Sequence, residues 1–285
     1  MRALLAGLAA ACAIALPARA EPPVWVVRDA DSEILMFGSV HVLPPGLTWR
    51  PAALDAALAR ADDLWFELPM DPATQAEVGA LAARLGVLPP GQSLFTLLPP
   101  ADAEKLMAVA YVYGVDKATL SRLEPWLAEV ALAAAAYGKA GADTGNGVEM
   151  TINAAAPAAT RRAFETPAEQ MGFFDAAPMA EQIVSLRETL RELERDPEAF
   201  MTLVRAWMAG DTAGLDREAL EPMRKVTPGM FRRLVSQRNE AWAKTLDERL
   251  KGKGNTVVVV GVGHLIGTGG LPARLRALGY SVTGP

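Results

Sequence analysis

The chain has only two histidines in 285 residues, and their setting limits the possible folds more than any other feature. His41 closes the run Ile34-Leu35-Met36-Phe37-Gly38-Ser39-Val40, and His264 closes Val257-Val258-Val259-Val260-Gly261-Val262-Gly263. Each follows a glycine by three residues at the end of an apolar, β-type stretch. With 24 glycines in the chain, chance would put one at that offset before both histidines less than about once in a hundred, so the pair is read as one design used twice. In sheets covered by helices, ligands bind beyond the carboxyl ends of strands. Glycine there lets backbone or ligand approach without a Cβ in the way. Imidazole is the commonest side-chain metal ligand and the usual acid or base near neutral pH. The matched pair therefore points to a site, with Gly38 and Gly261 as positions of close approach.

Residues 1–20 are expected to be a signal peptide. Met1-Arg2 is a short basic start, Ala3 to Leu16 is apolar but short for a mature membrane span, and Pro17-Ala18-Arg19-Ala20 offers an A-x-A cleavage pattern. Cys12 lies inside the apolar run and does not follow a lipobox, so no lipid anchor is read. Cleavage after Ala20 would send a single domain, residues 21–285, to the periplasm without a stable membrane anchor. It would also remove the one cysteine, excluding disulfides and cysteine-based chemistry. Of 28 basic residues, Arg2 and Arg19 would leave with the leader, so 26 remain against 33 acidic ones, a net charge of −7. An acidic chain without a basic run argues against nucleic acid as a partner.

Periodicity predicts a hairpin of Val24 to Val27 with Glu33 to Val40, turning at residues 29–32. A helix over 52–61 and a strand over 64–68 follow, an order that suggests a parallel pair. Helices are expected at 71–86, 101–113, 125–139 and 148–155, a strand at 160–165, and a helix from Pro167. Helical spacing then prevails from 179 to 251, broken near Gly210 and Pro228. The strand 256–260, a helix at 271–278 and an edge strand at 280–283 finish the chain. The fold class is α/β: a central mixed sheet built from strands of both ends, with a large helical insertion at about 71–250.

A mononuclear metal site needs two or three imidazole or carboxylate ligands and an open position. His41, His264 and Glu67 meet that inventory. Glu67 follows Trp65 and Phe66 in an apolar strand, where an unpaired carboxylate is costly. Glu165 and Glu169 are further carboxylates for the same cleft. Arg238, followed by Asn239, lies before the last long strand and suits an oxyanion or a substrate carboxylate. Gly261-Val262-Gly263 with Gly267 has the wrong spacing for a dinucleotide loop, and no G-x-S-x-G, Walker loop or H-E-x-x-H occurs. Ser39 is read as part of the first motif and not as a nucleophile.

At Phe37-Gly38-Ser39-Val40-His41, Trp65-Phe66-Glu67, Phe164-Glu165-Thr166 with Glu169-Gln170, Arg238-Asn239 and Gly261-Val262-Gly263-His264-Leu265-Ile266-Gly267, the chain resembles the TraB/PrgY/GumN family, to which the Tiki proteases are related. The resemblance covers most of residues 21–285. It implies a metal-binding role for His41 and His264, with Glu67 as ligand or general base, and manganese or cobalt as the ion. The donor set itself also suits zinc. Gly147-Val148-Glu149 departs from the Gly-Val-Asp usual in the family. The function expected is a metal-dependent hydrolase, foremost a peptidase, acting on a peptide or other small substrate. The alternative is a non-catalytic periplasmic protein that sequesters such a ligand.

Overall fold

A computed structural model describes residues 20–156 and 158–285. The expected leader and Cys12 lie outside the described residues, apart from Ala20. Strands β1 (Val24–Arg28) and β2 (Ser32–Ser39) form the expected hairpin. Its turn is held by Asp29, whose Oδ1 accepts from Ser32 N at 2.8 Å and Ser32 Oγ at 2.7 Å, an Asx turn. Helix α1 (Ala52–Leu58) leads to β3 (Asp63–Phe66). Helices α2 (Pro72–Leu85), α3 (Leu94–Leu97), α4 (Pro100–Tyr113), α5 (Lys117–Ser121), α6 (Pro125–Lys139) and α7 (Val148–Ala155) intervene before β4 (Thr160–Ala163).

A second helical run follows: α8 (Pro167–Asp175), α9 (Met179–Arg195), α10 (Ala199–Met208), α11 (Thr212–Leu215), α12 (Glu221–Val226), α13 (Pro228–Phe231) and α14 (Gln237–Leu250). The chain closes with β5 (Gly254–Gly261), α15 (Leu271–Ala277) and β6 (Ser281–Thr283). The helical insertion is thus real but divided by β4. The breaks at Gly210, a left-handed residue, and at Pro228 fall where the sequence puts them. Five-residue π-helical segments, 216–220 and 232–236, adjoin α12 and α14.

The six strands form one mixed sheet in the order β4-β3-β5-β2-β1-β6. β2, β3, β4 and β5 run parallel, and β1 and β6 add an antiparallel edge. The sequence order suggests that β2 and β3 pair. They do not, because β5 lies between them and pairs with both. Val257 to Val260 are at most 1% exposed, as befits a parallel strand buried on both faces.

The register decides the site. β2 and β5 match residue for residue from Ser32↔Gly254 to Ser39↔Gly261, so the two histidine-bearing segments leave the sheet at the same edge. Hydrophobic residues of α1, α7, α10, α14 and α15 pack on the sheet in one core. A second core joins α3, α4, α5, α6 and α9 around Leu94, Leu106, Leu132 and Leu186. Among the described residues no helix is long and apolar enough to cross a membrane.

Candidate active site at the carboxyl ends of β2, β3 and β5

Strand β3 stops at Phe66, so Glu67 lies just past the strand and not inside it. Its neighbours are β4 and β5, so it does not face solvent from an edge strand. Its Oε1 accepts from the amide of Gly261 at 2.8 Å, which ties the end of β3 to the end of β5. A Cβ on Gly261 would lie 3.2 Å from Glu67 Oε1, 3.7 Å from His41 Nε2 and 3.7 Å from His264 Cδ2. The three groups singled out in the sequence therefore meet where a Cβ on Gly261 would lie. Gly38 differs, because its missing Cβ makes room for Val262, whose Cα would lie 2.9 Å away. It serves strand-to-turn packing and does not face the three side chains.

Both histidines are oriented through Nδ1. His41 Nδ1 lies 2.6 Å from Glu149 Oε1, which also accepts from Ser39 Oγ at 2.5 Å. A carboxylate accepts, so Nδ1 carries a proton, and Nε2 is the nitrogen that can bind a metal once the ring is neutral. His264 follows Gly261 in a single 3-10 turn, with its Nδ1 2.6 Å from Asn239 Oδ1. The Asn239 amide nitrogen donates to the carbonyls of His264 and Gly269, which fixes the oxygen towards the ring. His264 is thereby assigned the Nδ1–H tautomer as well. An acceptor behind Nδ1 is what usually fixes the ring of a metal-ligating histidine.

Arg238 and Asn239 are buried on the face of α14 that carries Trp242 and Leu246, one turn apart. The Arg238 guanidinium lies 4.7 Å over the Trp242 ring. It donates to Glu165 Oε1 at 2.7 Å, to Glu165 Oε2 at 2.9 Å and to Glu67 Oε2 at 2.6 Å. Its Nη1 also lies 3.2 Å from His264 Nε2. Gln170, on α8, reaches Glu67 and Glu165 at 3.3 and 3.4 Å. Glu169, the other candidate carboxylate, is exposed and takes no part. It forms a capping box with Thr166 at the start of α8.

These contacts push the titrating groups apart. Burial alone would raise Glu67, but Arg238 and both histidines outweigh it and hold its pKa at about 2. Burial raises Glu165, and Arg238 offsets this only in part because Glu67 competes for the guanidinium and repels Glu165. Burial lowers the pKa of His264 to about 3, so its imidazole is neutral. The Glu149 carboxylate raises His41 to about 9. The ring of His41 is nevertheless 66% exposed, so water screens part of that attraction. Glu149 is itself lowered, because His41 outweighs its burial.

The acceptor atoms a divalent cation would use are His41 Nε2, His264 Nε2 and Glu67 Oε1, of which His264 Nε2 now faces Arg238 Nη1 and Glu67 Oε1 accepts from the Gly261 amide. They fit such an ion in kind, and glycine at 261 leaves free the space a Cβ would fill. Among the described residues, however, no three His, Cys, Asp or Glu groups already stand as a ligand set, and the cation against Glu67 is Arg238. Sequence reasoning left Glu149 in doubt and gave Asn239 and Gln170 no role. Gly147 allows the approach, since a Cβ there would clash with the His41 carbonyl oxygen, and the segment before α7 thereby lies against the first motif.

Residues 23–284 match the sequence model of the TraB/PrgY/gumN family. An uncharacterized protein of Treponema pallidum (strain Nichols) is similar, 24% identical over 255 residues, which cover 85% of this chain and 76% of that protein. No solved structure matches the chain.

Proposed function

The chain belongs to the TraB/PrgY/gumN family, and from that premise and the groups around Gly261 we propose that it is a metal-dependent hydrolase of peptides, exported to the periplasm. The relation to the Tiki proteases belongs to the same proposal. His41, His264 and Glu67 would hold a divalent ion, manganese, cobalt or zinc. When bound, the ion would polarise the scissile carbonyl and bring the pKa of a coordinated water towards about 7. Glu149 and Asn239 hold the Nδ1 side of both imidazoles, so Nε2 is the nitrogen each would present to the ion once its ring is neutral. Arg238 stays charged beside the carboxylates and can donate to an oxyanion as it forms. Glu67 stays ionised, whereas burial raises Glu165. Two carboxylates held apart in this way divide the work, and Glu165 is the one suited to take up and return a proton.

The observation that carries the reading is the convergence of two acceptor-backed imidazoles and a carboxylate on Gly261. The test is digestion of a peptide library by purified residues 21–285, with and without Mn²⁺, Co²⁺ or Zn²⁺. Cleavage is expected only with metal and is absent in His41→Ala. Intact peptides under every ion would defeat the proposal.

One observation favours a second reading, a protein that captures a peptide without turnover. Arg238 already engages Glu67 and faces His264 Nε2, as in a site that stays closed to metal. Stoichiometric capture of uncleaved peptide would favour it.

A further inference from the structure

The loop between β2 and α1 and the start of α7 border a cavity of about 300 Å³ that none of the groups described above lines. Pro44, Leu47 and Trp49 give it an apolar side, and Arg50, Asn146 and Thr151 a polar one. Backbone pairing holds these segments against the first histidine motif. Leu43 and Asp143 exchange both amide hydrogen bonds, at 3.3 and 3.2 Å, and the amide of Val148 donates to the carbonyl of Val40 at 3.2 Å. Pro44 is three residues from His41, so their α-carbons lie within about 11 Å, the reach of three residues of an extended peptide.

Trp49 is fixed to the strand that leads to His41. Its ring stacks on Phe37 at 5.6 Å and lies 5.8 Å from Trp207, whose indole N–H donates to the Gly38 carbonyl at 2.8 Å. Only 7% of Trp49 stays exposed. A buried indole N–H normally finds an acceptor. That of Trp49 has none among the described residues, and it is not one of the atoms sealed away from solvent without a partner. An open donor on a rigid side chain that lines a cavity calls for an acceptor inside that cavity.

Arg50 adds a positive charge. One of its nitrogens donates to Asp55, which does not line the cavity, and its other donors have no partner among the described residues. Among the described residues no acidic side chain lines the cavity. Asp143, three residues before Asn146, is engaged: its carboxylate accepts from the backbone and side-chain amides of Asn146 at 3.1 and 2.7 Å.

We propose that this cavity binds a carboxylate of the peptide ligand. Trp49 Nε1 and Arg50 would donate to its oxygens, and Pro44 and Leu47 would pack on the chain that carries it. On the peptide reading above, from which this follows, the protein selects ligands by an acidic side chain or by a free carboxyl end. The two sources share this chemistry.

The test is isothermal titration of purified, metal-free residues 21–285 with acetyl-Ala-Glu-Ala-amide and its glutamine counterpart. A second pair, acetyl-Ala-Ala-Ala as the free acid and as the amide, reports on the carboxyl end. The acid should bind about tenfold tighter than its neutral form in one pair or in both, which identifies the source of the carboxylate. Trp49→Phe keeps the ring and removes the N–H, and Arg50→Gln removes the charge from an exposed side chain. Each should weaken binding of the acid about tenfold. A melting curve checks that Trp49→Phe is folded, and Arg50→Gln, outside the core, repeats the test. No saturable binding of either acid up to about 10 mM, equal binding of acid and neutral forms in both pairs, or undiminished acid binding in Arg50→Gln would overturn the proposal. Metal has no part in this titration. Acid-selective binding without cleavage would leave the cavity assigned while the hydrolase proposal fails, and Mn²⁺-dependent cleavage without acid preference would overturn the cavity alone.

Discussion

Replacing Arg238 by methionine tests the charge arrangement of the candidate site most severely. The guanidinium makes three short hydrogen bonds to two carboxylates, and the side chains of Glu67 and Glu165 are only 12% and 5% exposed. Removing one partner of a buried ion pair costs about 3–5 kcal/mol, because the other charge is left uncompensated. Protonation caps that loss. A glutamate that titrates near 4.3 when unfolded needs roughly 3–4 kcal/mol to be neutral at pH 7, at 1.36 kcal/mol per unit. At pH 5 the same escape needs only about 1 kcal/mol.

The sign follows from the wild type. Arg238 holds Glu67 at about 2 against burial, so the stability it contributes is present above the unfolded value and is lost as pH falls towards 2. Urea unfolding of wild type and Arg238→Met should differ by about 3–5 kcal/mol at pH 7 and by at least ~2 kcal/mol less at pH 5. Glu165→Gln, added to the methionine variant, should restore part of the loss. A difference below about 1 kcal/mol at pH 7, or one that does not change with pH, would refute the reasoning.

Gly261→Ala should fold, because its φ of −47° suits alanine, but should lose metal affinity as its Cβ enters the space between Glu67 and His41; titration with Mn²⁺ and a thermal melt separate the two effects. In metal-free protein, His41 has its folded pKa raised to about 9, so the His41–Glu149 pair stabilises fully below the unfolded value near 6.5 and fades as pH rises through 9. Melting curves from pH 6 to 10 should show that slope in wild type and a weaker one in Glu149→Gln. Glu169→Ala should cost about 1 kcal/mol through loss of the α8 capping box and leave any hydrolysis unchanged, checked by urea unfolding beside the peptide assay.

Much of the site could be read in the sequence because its parts carry local signals. The Val257 to Val260 run could only be a buried strand, and the glycine–histidine spacing repeats at the end of its neighbour β2. Glu67 stood out as a carboxylate after Trp65 and Phe66, and Glu165 as the end of the expected strand 160–165. What could not be read depends on contacts between distant segments. Periodicity identifies strands without ordering them, so β5 lying between β2 and β3 was not legible.

The partners of the imidazoles were hidden for the same reason: His41 meets Glu149 across 108 residues, and His264 meets Asn239 across 25. Glu169 is the opposite case. Thr166-Pro167-Ala168-Glu169 is a capping-box pattern that local reasoning could have recognised, and it assigns that carboxylate to a helix start and not to the cleft.

Metal affinity of the purified protein is the most direct test. Isothermal titration of metal-free residues 21–285 with Mn²⁺ should give one site per chain, lost in both His41→Ala and His264→Ala and weakened in Asn239→Ala, which releases the His264 ring. Equal affinity in wild type and both alanine variants, or no binding of Mn²⁺, Co²⁺ or Zn²⁺ by the wild type, would contradict the proposed role of the two histidines.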